Sequence, residues 1–428
     1  MMEEFNMNLA LHEQHSPLSP FFIRQTEIAT LHNITFSYKK ENDELKDKIE
    51  NLRNDLKSSL LEQGFIFKEK GKLDFIAETK DDVRKIQVAA KVKLINENPK
   101  CIRRVLKIVR KYAKNGKDIN PNKIKLEIRQ VESDSEDELI FRWWNYTWWS
   151  MPYQRPYGRQ MRFIIWDTEH NAPFGLISLQ SPILKQAVRD KKLQIPNDEL
   201  DYWVNRSMYA QRVGALPPYN YLIGGKMVAL SLVSNEIQKA YYEKYKNKST
   251  IMNKRNIDPE LLFITTTSAF GRSSIYNRLK YNDVLIAEKL GCTEGYGSFQ
   301  ISNKLYNRLI EYLNIIGENT IRGYGGGPSK KLKLISLACR KLGLVDYSFH
   351  GIKREYYLFS LVNNIKEVIK RKEPSDRKNY LFQDLFMYWK ERWLKKRVQN
   401  TNMWQEYKFE DYERNVLNLI REEGCNFD

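Results

Sequence analysis

Arg212–Leu230 reads RVGALPPYNYLIGGKMVAL. An apolar run ends at Ala215, two prolines turn the chain, and Gly224-Gly225-Lys226 open a second apolar stretch. This is the order strand, loop, glycine-started helix. It predicts an α/β chain of mixed α+β character, a central twisted sheet flanked by helical N- and C-terminal regions. Glycines at 224 and 225 let a ligand approach backbone N–H groups at a helix N-terminus, where the dipole favours phosphate. Lys226 adds charge there. Tight packing is the other reading of such a pair. The stretch is neither a G-x-x-x-x-G-K-[ST] loop nor a G-x-G-x-x-G fingerprint.

The same alternation continues outward. Upstream, Met161–Trp166 (MRFIIW) and Phe174–Leu179 (FGLISL) read as a hairpin turning over Asp167–Pro173. A short helix over Leu184–Lys192 and a strand over Tyr209–Ala215 follow. Downstream, Gly224–Tyr245 reads as one long helix with Leu230, Val233, Ile237 and Tyr241 on one face. Leu261–Thr267 (LLFITTT) is a strand and Ser273–Tyr281 a helix. Val284–Glu288 is a strand and Ser302–Ile315 another helix. Tyr276, one turn into its expected helix, either packs or offers its O–H to a leaving group or ligand carbonyl. It stands in a small-residue turn with Arg272, Ser273 and Ser274.

Helical, basic regions flank this centre. A stripe of Leu45, Ile49, Leu52 and Leu56 predicts a helix over Lys39–Leu61. Asp81–Asn115 follows, densest at Cys101–Lys114 (CIRRVLKIVRKYAK). There Ile102, Val105, Ile108, Val109 and Tyr112 form an apolar face, and Arg103, Arg104, Lys107, Arg110 and Lys111 a wet one. That wet face is either simply solvated or a phosphate-contacting surface. Val131–Glu138 (VESDSEDE) is acidic and is taken as a boundary. Phe141–Tyr157 holds four tryptophans, as core or as rings stacking on bases beside Arg142 and Arg155. Arg322–Pro328 (RGYGGGP) is a hinge or an anion nest, opening a helix over Ser329–Leu342 that Gly343 stops. His350-Gly-Ile-Lys353-Arg354-Glu355 sets a histidine beside two cations, as structure, base or phosphate ligand. Glu367–Arg397 is helical and basic. The expected organisation is a helical, basic region at 1–135, an α/β domain at 136–320, and a basic, mostly helical region at 321–428.

Charge bounds the partners. The 428 residues carry 71 Lys+Arg against 53 Asp+Glu, a formal +18. Such a field attracts polyanions, nucleic acid above all, although AT-rich codon usage alone also enriches lysine. Four isolated cysteines and five histidines give no disulfide framework and no zinc spacing. His12 and His15 are the one pair placed to share a metal, and no metal is expected. No apolar stretch is long enough to span a bilayer, and the N-terminus has no basic-then-apolar leader. A soluble, cytoplasmic protein is expected.

Hairpin, strand, glycine-started helix, strand, helix and strand together resemble the GNAT acetyltransferase fold. The resemblance implies acyl-CoA as cofactor, its pyrophosphate cradled by Leu222, Ile223, Gly224, Gly225 and Lys226, with Tyr276 as the acid. The family's loop usually reads [Q/R]-x-x-G-x-[G/A]; here Tyr221 and Lys226 hold the first and last positions.

YNYLIGGKMVAL (219–230), ITTTSAFGRSSIYNRLKY (264–281), LGCTEGYG (290–297), GYGGGPSKKLKLISLACRKLGL (323–344) and HGIKREYY (350–357) also resemble the DruA family of Druantia anti-phage systems. That resemblance covers about Arg159–Tyr357, more loosely from Leu60. It implies antiviral defence, a DNA or RNA target and other subunits of a defence system as partners.

These readings nominate Tyr276, Arg272, Ser274 and His350 for catalysis. They nominate Arg103, Arg104, Lys107, Arg110, Lys330, Lys331, Arg354, Arg392, Lys395, Lys396 and Arg397 for nucleic acid. One alternative is a Mg²⁺-dependent nickase or transposase-like enzyme drawing on the scattered Asp167, Asp190, Asp198, Glu288 and Glu294. Another is a non-catalytic recruitment subunit. A splay between the strands at 209–215 and 261–267 is the expected mark of the acyltransferase-like sheet.

Overall fold

A computed structural model describes residues 43–420 apart from 76–78, 80–81, 83–87, 89–90, 93, 149–155, 251–253, 257, 270, 299 and 322–329. His12, His15, Trp149, Arg155 and the glycine-rich segment 322–328 therefore lie outside the described residues. The chain forms two compact units, Met1–Asp55 and Leu56–Asp428. In the first, 43–55 is helical; the second begins helical over 56–62. Within the predicted stripe, Leu52 and Leu56 are buried.

The larger unit is built on a seven-stranded sheet. In chain order its strands are β3 (Leu126–Gln130), β4 (Gln160–Asp167), β5 (Ala172–Gln180), β6 (Ser207–Ala215), β7 (Phe263–Thr267), β10 (Glu288–Cys292) and β11 (Glu355–Ser360). Two hairpins stand apart, β1 (Phe65–Phe67) with β2 (Leu73–Phe75), and β8 (Lys280–Tyr281) with β9 (Val284–Leu285). The sheet order is β10-β11-β7-β6-β5-β4-β3. All neighbours are antiparallel except β6 and β7. The α/β class and the 161–179 hairpin are as the sequence predicts.

Alternation along each strand decides which side meets which helices. Phe163, Ile165, Ile177, Leu179, Met208, Ala210, Ile264, Tyr357 and Phe359 face one way. Against them pack α5 (Gly224–Leu230), α6 (Asn235–Tyr245) and α10 (Phe382–Trp389). The opposite face has two apolar ends. Ile164, Trp166 and Leu176 meet α1 (Pro99–Tyr112), α2 (Glu136–Thr147) and α12 (Phe409–Asn418). Phe263 and Leu358 meet α3 (Ala187–Leu193), α4 (Leu200–Asn205) and α9 (Ile365–Arg371). The remaining helices are α7 (Asn303–Ile315), α8 (Lys330–Lys341) and α11 (Lys395–Asn400).

Several elements differ from expectation, each for a local reason. Gly224–Tyr245 is not one helix. Ser231 donates back to the Met227 carbonyl (2.9 Å), and Ser234 leaves the helix to cap α6. Serine offers the backbone these alternatives to helix continuation. Ser273–Tyr281 is a series of turns, not a helix. The Ser273 hydroxyl accepts from the Ile275 and Tyr276 amides, and Arg278 takes a left-handed conformation. Val284–Glu288 divides between β9 and β10. Glu367–Arg397 is two helical stretches, the second widening into a π-turn over Lys390–Leu394. The acidic 131–138 does not interrupt the fold. Ser135 caps α2, Glu136, Asp137 and Glu138 favour its positive end, and Glu138 pairs with Arg142 and with Arg162 of β4. Strands from all three expected regions, β3, the central five and β11, meet in one sheet.

Candidate functional site

The β6/β7 pair is where the sheet opens. Only Ser207, Met208 and Tyr209 pair with Phe263, Ile264 and Thr265. Beyond Tyr209, β6 runs on to Ala215 with its strand pairing on the β5 side. A parallel pair that parts half-way leaves side chains on both strands without strand neighbours on one side. The hydroxyl of Thr266 bridges the opening to the Ala210 carbonyl at 2.7 Å.

On the second face, the register sets polar residues in rows across this opening. Gln180 stands opposite Tyr209, and Tyr209 beside Thr265; Thr267 stands opposite Tyr356; Ser178 stands opposite Arg212. Arg354 shares the side of Tyr356 by alternation. The Tyr209 and Thr267 hydroxyls bond at 2.8 Å, and the Tyr356 hydroxyl donates to Thr265 at 3.0 Å. Arg212 is buried and donates to Asn145 of α2 (2.8 Å). The Gln180 side chain is 5% exposed, and its amide oxygen is buried with no donor in reach. Burial lowers the Arg354 guanidinium from its ordinary value, with the Tyr209 phenol opposing the shift. Burial and the charge of Arg354 hold the His350 imidazole down to about 3. Its Nδ1 accepts from the Ile352 amide (3.0 Å), so the ring is a neutral, seated acceptor.

The loop before α5 is the second element of the site. Gly224 is there for packing. A Cβ on it would lie 2.7 Å from the Tyr219 carbonyl and 2.8 Å from the Ala215 Cβ. Ile223 is left-handed (φ 59°), a conformation that costs a β-branched residue about 1–2 kcal/mol. The C-terminal helices lie across it. Trp389 Nε1 donates to the Ile223 carbonyl (3.1 Å), and Arg397 Nε to the Tyr221 carbonyl (2.8 Å). Lys226 points its Nζ at the Ile275 carbonyl (3.3 Å), over the Trp393 ring, and burial lowers its pKa. A Cβ on Gly225 would meet Ile275 at 3.1 Å. Ile275 and α10–α11 thus cover the loop.

The nominated catalytic residues are not brought together. Tyr276 is buried on the first face against Tyr357 and Phe359, and burial pushes its phenol well up. Arg272 and Ser274 are exposed, with Arg272 reaching the Asn277 amide oxygen at 2.8 Å. His350 neighbours Arg354, on the second face. Beside Tyr276, Glu355 accepts from Lys289 (2.6 Å), the Ser273 amide and Tyr357. Although burial opposes it, these partners keep the Glu355 carboxyl below its usual range. The polar rows at 178–180, 209–212, 265–267 and 354–356 escape a reading of single segments. Their signal is a polar residue at every second position of neighbouring strands, visible only once the register is known.

The basic residues divide. On α1, Arg103, Arg104 and Lys107 are exposed and make no ion pair among the described residues, whereas Arg110 binds Glu413 of α12. Lys396 and Arg392 are exposed, Lys395 pairs with Glu391, and Arg397 is spent on Tyr221. Lys330 reaches the Ile321 carbonyl, and Lys331 lies over the Tyr306 ring. Among the described residues, no three His, Cys, Asp or Glu lie together to hold a metal. Asp190 is engaged by Arg189. No described helix is long and apolar enough to cross a membrane.

The family model described as Druantia protein DruA matches residues 77–371. The Druantia protein DruA of Escherichia coli (strain UMEA 4076-1) is 31% identical over 323 residues, 74% of this chain and 80% of that protein. No solved structure matches the chain.

Proposed function

This chain belongs to the DruA family, and from that membership we propose that it is an anti-phage defence protein that works by binding nucleic acid. The observation that carries the reading is the outer face of α1. There Arg103, Arg104 and Lys107 stand exposed without acidic partners among the described residues, on a chain of formal charge +18. Three such cations within about one turn of helix can contact a phosphate backbone, and each phosphate neutralised releases counterions. The test is the salt dependence of binding to single-stranded and duplex DNA and RNA by fluorescence anisotropy. Changing all three to alanine is expected to flatten log K against log[salt] by about 2 for single strands and nearly 3 for duplex. An unchanged slope removes this face from the reading.

Acyl transfer from acyl-CoA, with a GNAT-like sheet, is a second reading. It is supported by the strand order, by β11 lying between β7 and β10, and by the opening of the parallel pair next to a glycine-started helix. The covered loop speaks against CoA entering while α10–α11 stay in place. Calorimetric titration of CoA into the wild-type chain and into a Trp389→Ala/Arg397→Ala variant tests it. Heat of binding in the variant supports the reading, and none in either sinks it. The nickase alternative has no carboxylate cluster among the described residues to rest on.

A further inference from the structure

Tyr296 and Phe349 are large rings left outside on firmly held backbone. Phe349 is 40% exposed, although Ser348 and His350 on either side of it are buried; Tyr296 is 56% exposed and follows the buried Gly295. The two residues face each other in an isolated antiparallel bridge. The Gly297 amide donates to the Ser348 carbonyl (2.9 Å), and the His350 amide to the Gly295 carbonyl (2.9 Å). A Cβ on Gly295 would lie 2.8 Å from the Gly351 carbonyl carbon, so the two segments touch. The rings meet edge to face with centroids 5.0 Å apart. A single exposed ring is ordinary; two fixed in contact at the surface form a patch.

Cations stand around this patch. The Ser336 hydroxyl of α8 bonds Asp346, three residues before Phe349, at 3.0 Å. Lys333 and Arg340 lie one turn to either side of Ser336 on the same helix stripe. Both are exposed, as is Lys353, four residues after Phe349, and none of the three makes an ion pair among the described residues. Of the nearby acids, Asp346 is turned to Ser336 and the Ser348 amide (2.9 Å), and Glu294 is exposed.

We propose that Tyr296 and Phe349 form a stacking platform for unpaired bases of a single-stranded nucleic acid. The inference rests on the nucleic-acid reading above and adds a second contact to it. The platform sits at the β10–β11 end of the sheet, whereas α1 covers β4. Bases of a single strand have open faces, and stacking on an aromatic ring accepts any of them. Bases in a duplex are already stacked on one another. Two rings are too little apolar area to hold a protein partner by themselves. A strand needs only a ring for a base and cations for its phosphates.

The experiment measures anisotropy of labelled oligo-dT and of a duplex on the full chain across a salt series. Tyr296→Leu/Phe349→Leu keeps apolar bulk and removes both rings. It is expected to weaken oligo-dT binding about 10-fold or more, with the salt slope and the duplex affinity unchanged. Tyr296→Phe/Phe349→Tyr puts rings back and is expected to recover the oligo-dT affinity. Lys333→Ala/Arg340→Ala/Lys353→Ala is expected to flatten the oligo-dT salt slope by about 2; it is the arm that stands if the leucine variant does not fold. Unchanged oligo-dT affinity in the leucine variant, or an equal fall on the duplex, overturns the platform while leaving the nucleic-acid reading intact. An unchanged slope in the alanine variant also overturns it. Absence of binding to any strand overturns both.

Discussion

His350 shows how one buried side chain ties stability to pH. Unfolded, its imidazole titrates near 6.5; folded, it is held at about 3 by burial and by Arg354. Between those values the unfolded chain binds the extra proton. Its contribution is therefore complete above pH ~6.5 and is lost as pH falls toward 3, by about 1.4 kcal/mol per pH unit. Urea titrations at pH 7, 6, 5 and 4 are expected to show His350→Asn losing less stability with acid than the wild type. Parallel curves would remove the assignment. Asp167 holds the fold through hydrogen bonds instead. Fully buried, it accepts from His170 Nδ1 (2.6 Å), the Tyr219 hydroxyl (2.9 Å) and the amides of Lys125 and Glu169. His170 in turn accepts from the Asn120 amide through Nε2, so its proton sits on Nδ1. Asp167→Ala strands four donors and is expected to cost about 3 kcal/mol or more in a denaturant midpoint series. Gly224→Ala is expected to cost about 1–3 kcal/mol, because its methyl would meet the Ala215 Cβ and the Tyr219 carbonyl.

At the scale of elements, α10–α11 act on the loop before α5. Trp389, Trp393 and Arg397 recur every four residues, and the π-turn between them keeps all three against 221–226. Arg397→Ala is expected to raise hydrogen-exchange rates of the 221–226 amides roughly 10-fold while leaving β4 and β5 protected; uniform exchange across both would show the helix only as a general brace. This arrangement was not legible in the sequence. WKERWLKKR reads as a basic surface, and Arg397 as a phosphate ligand, because spacing reports which face a residue takes and not what covers it. By contrast the 161–179 hairpin, the strand at 209–215 and the helix at 303–315 were legible, since alternation and a serine cap are local properties. The break at Ser231–Ser234 and the turns at 273–278 were missed although their cause is local too. Serine hydroxyls there redirect the backbone, and apolar periodicity does not register them. The polar rows at Gln180, Tyr209, Thr267 and Tyr356 come from strand pairing and together span 176 positions of sequence, which no window along the chain contains.

For the whole molecule, the sheet decides what can be removed. β3 comes from 126–130 and β11 from 355–360, so neither expected boundary, at 135 or at 320, leaves the sheet whole. A chain ended at residue 320 lacks β11, exposing the bonding edges of β7 and β10 together with Ile264, Phe263 and the ring of Tyr276. It is expected to be insoluble or to lose near-ultraviolet circular dichroism, whereas one ended at 371 keeps every strand; a folded 1–320 fragment would contradict the sheet order. The position of β11 also bears on how the protein is made. It inserts between two strands synthesised before it, at least 63 residues earlier for β10 and further for β7. While the ribosome is still translating that interval, β3–β6 can zip together, but the half carrying β7 waits with an open seam. The stretch of synthesis over residues 293–360 is therefore where the growing chain is most exposed to misassembly.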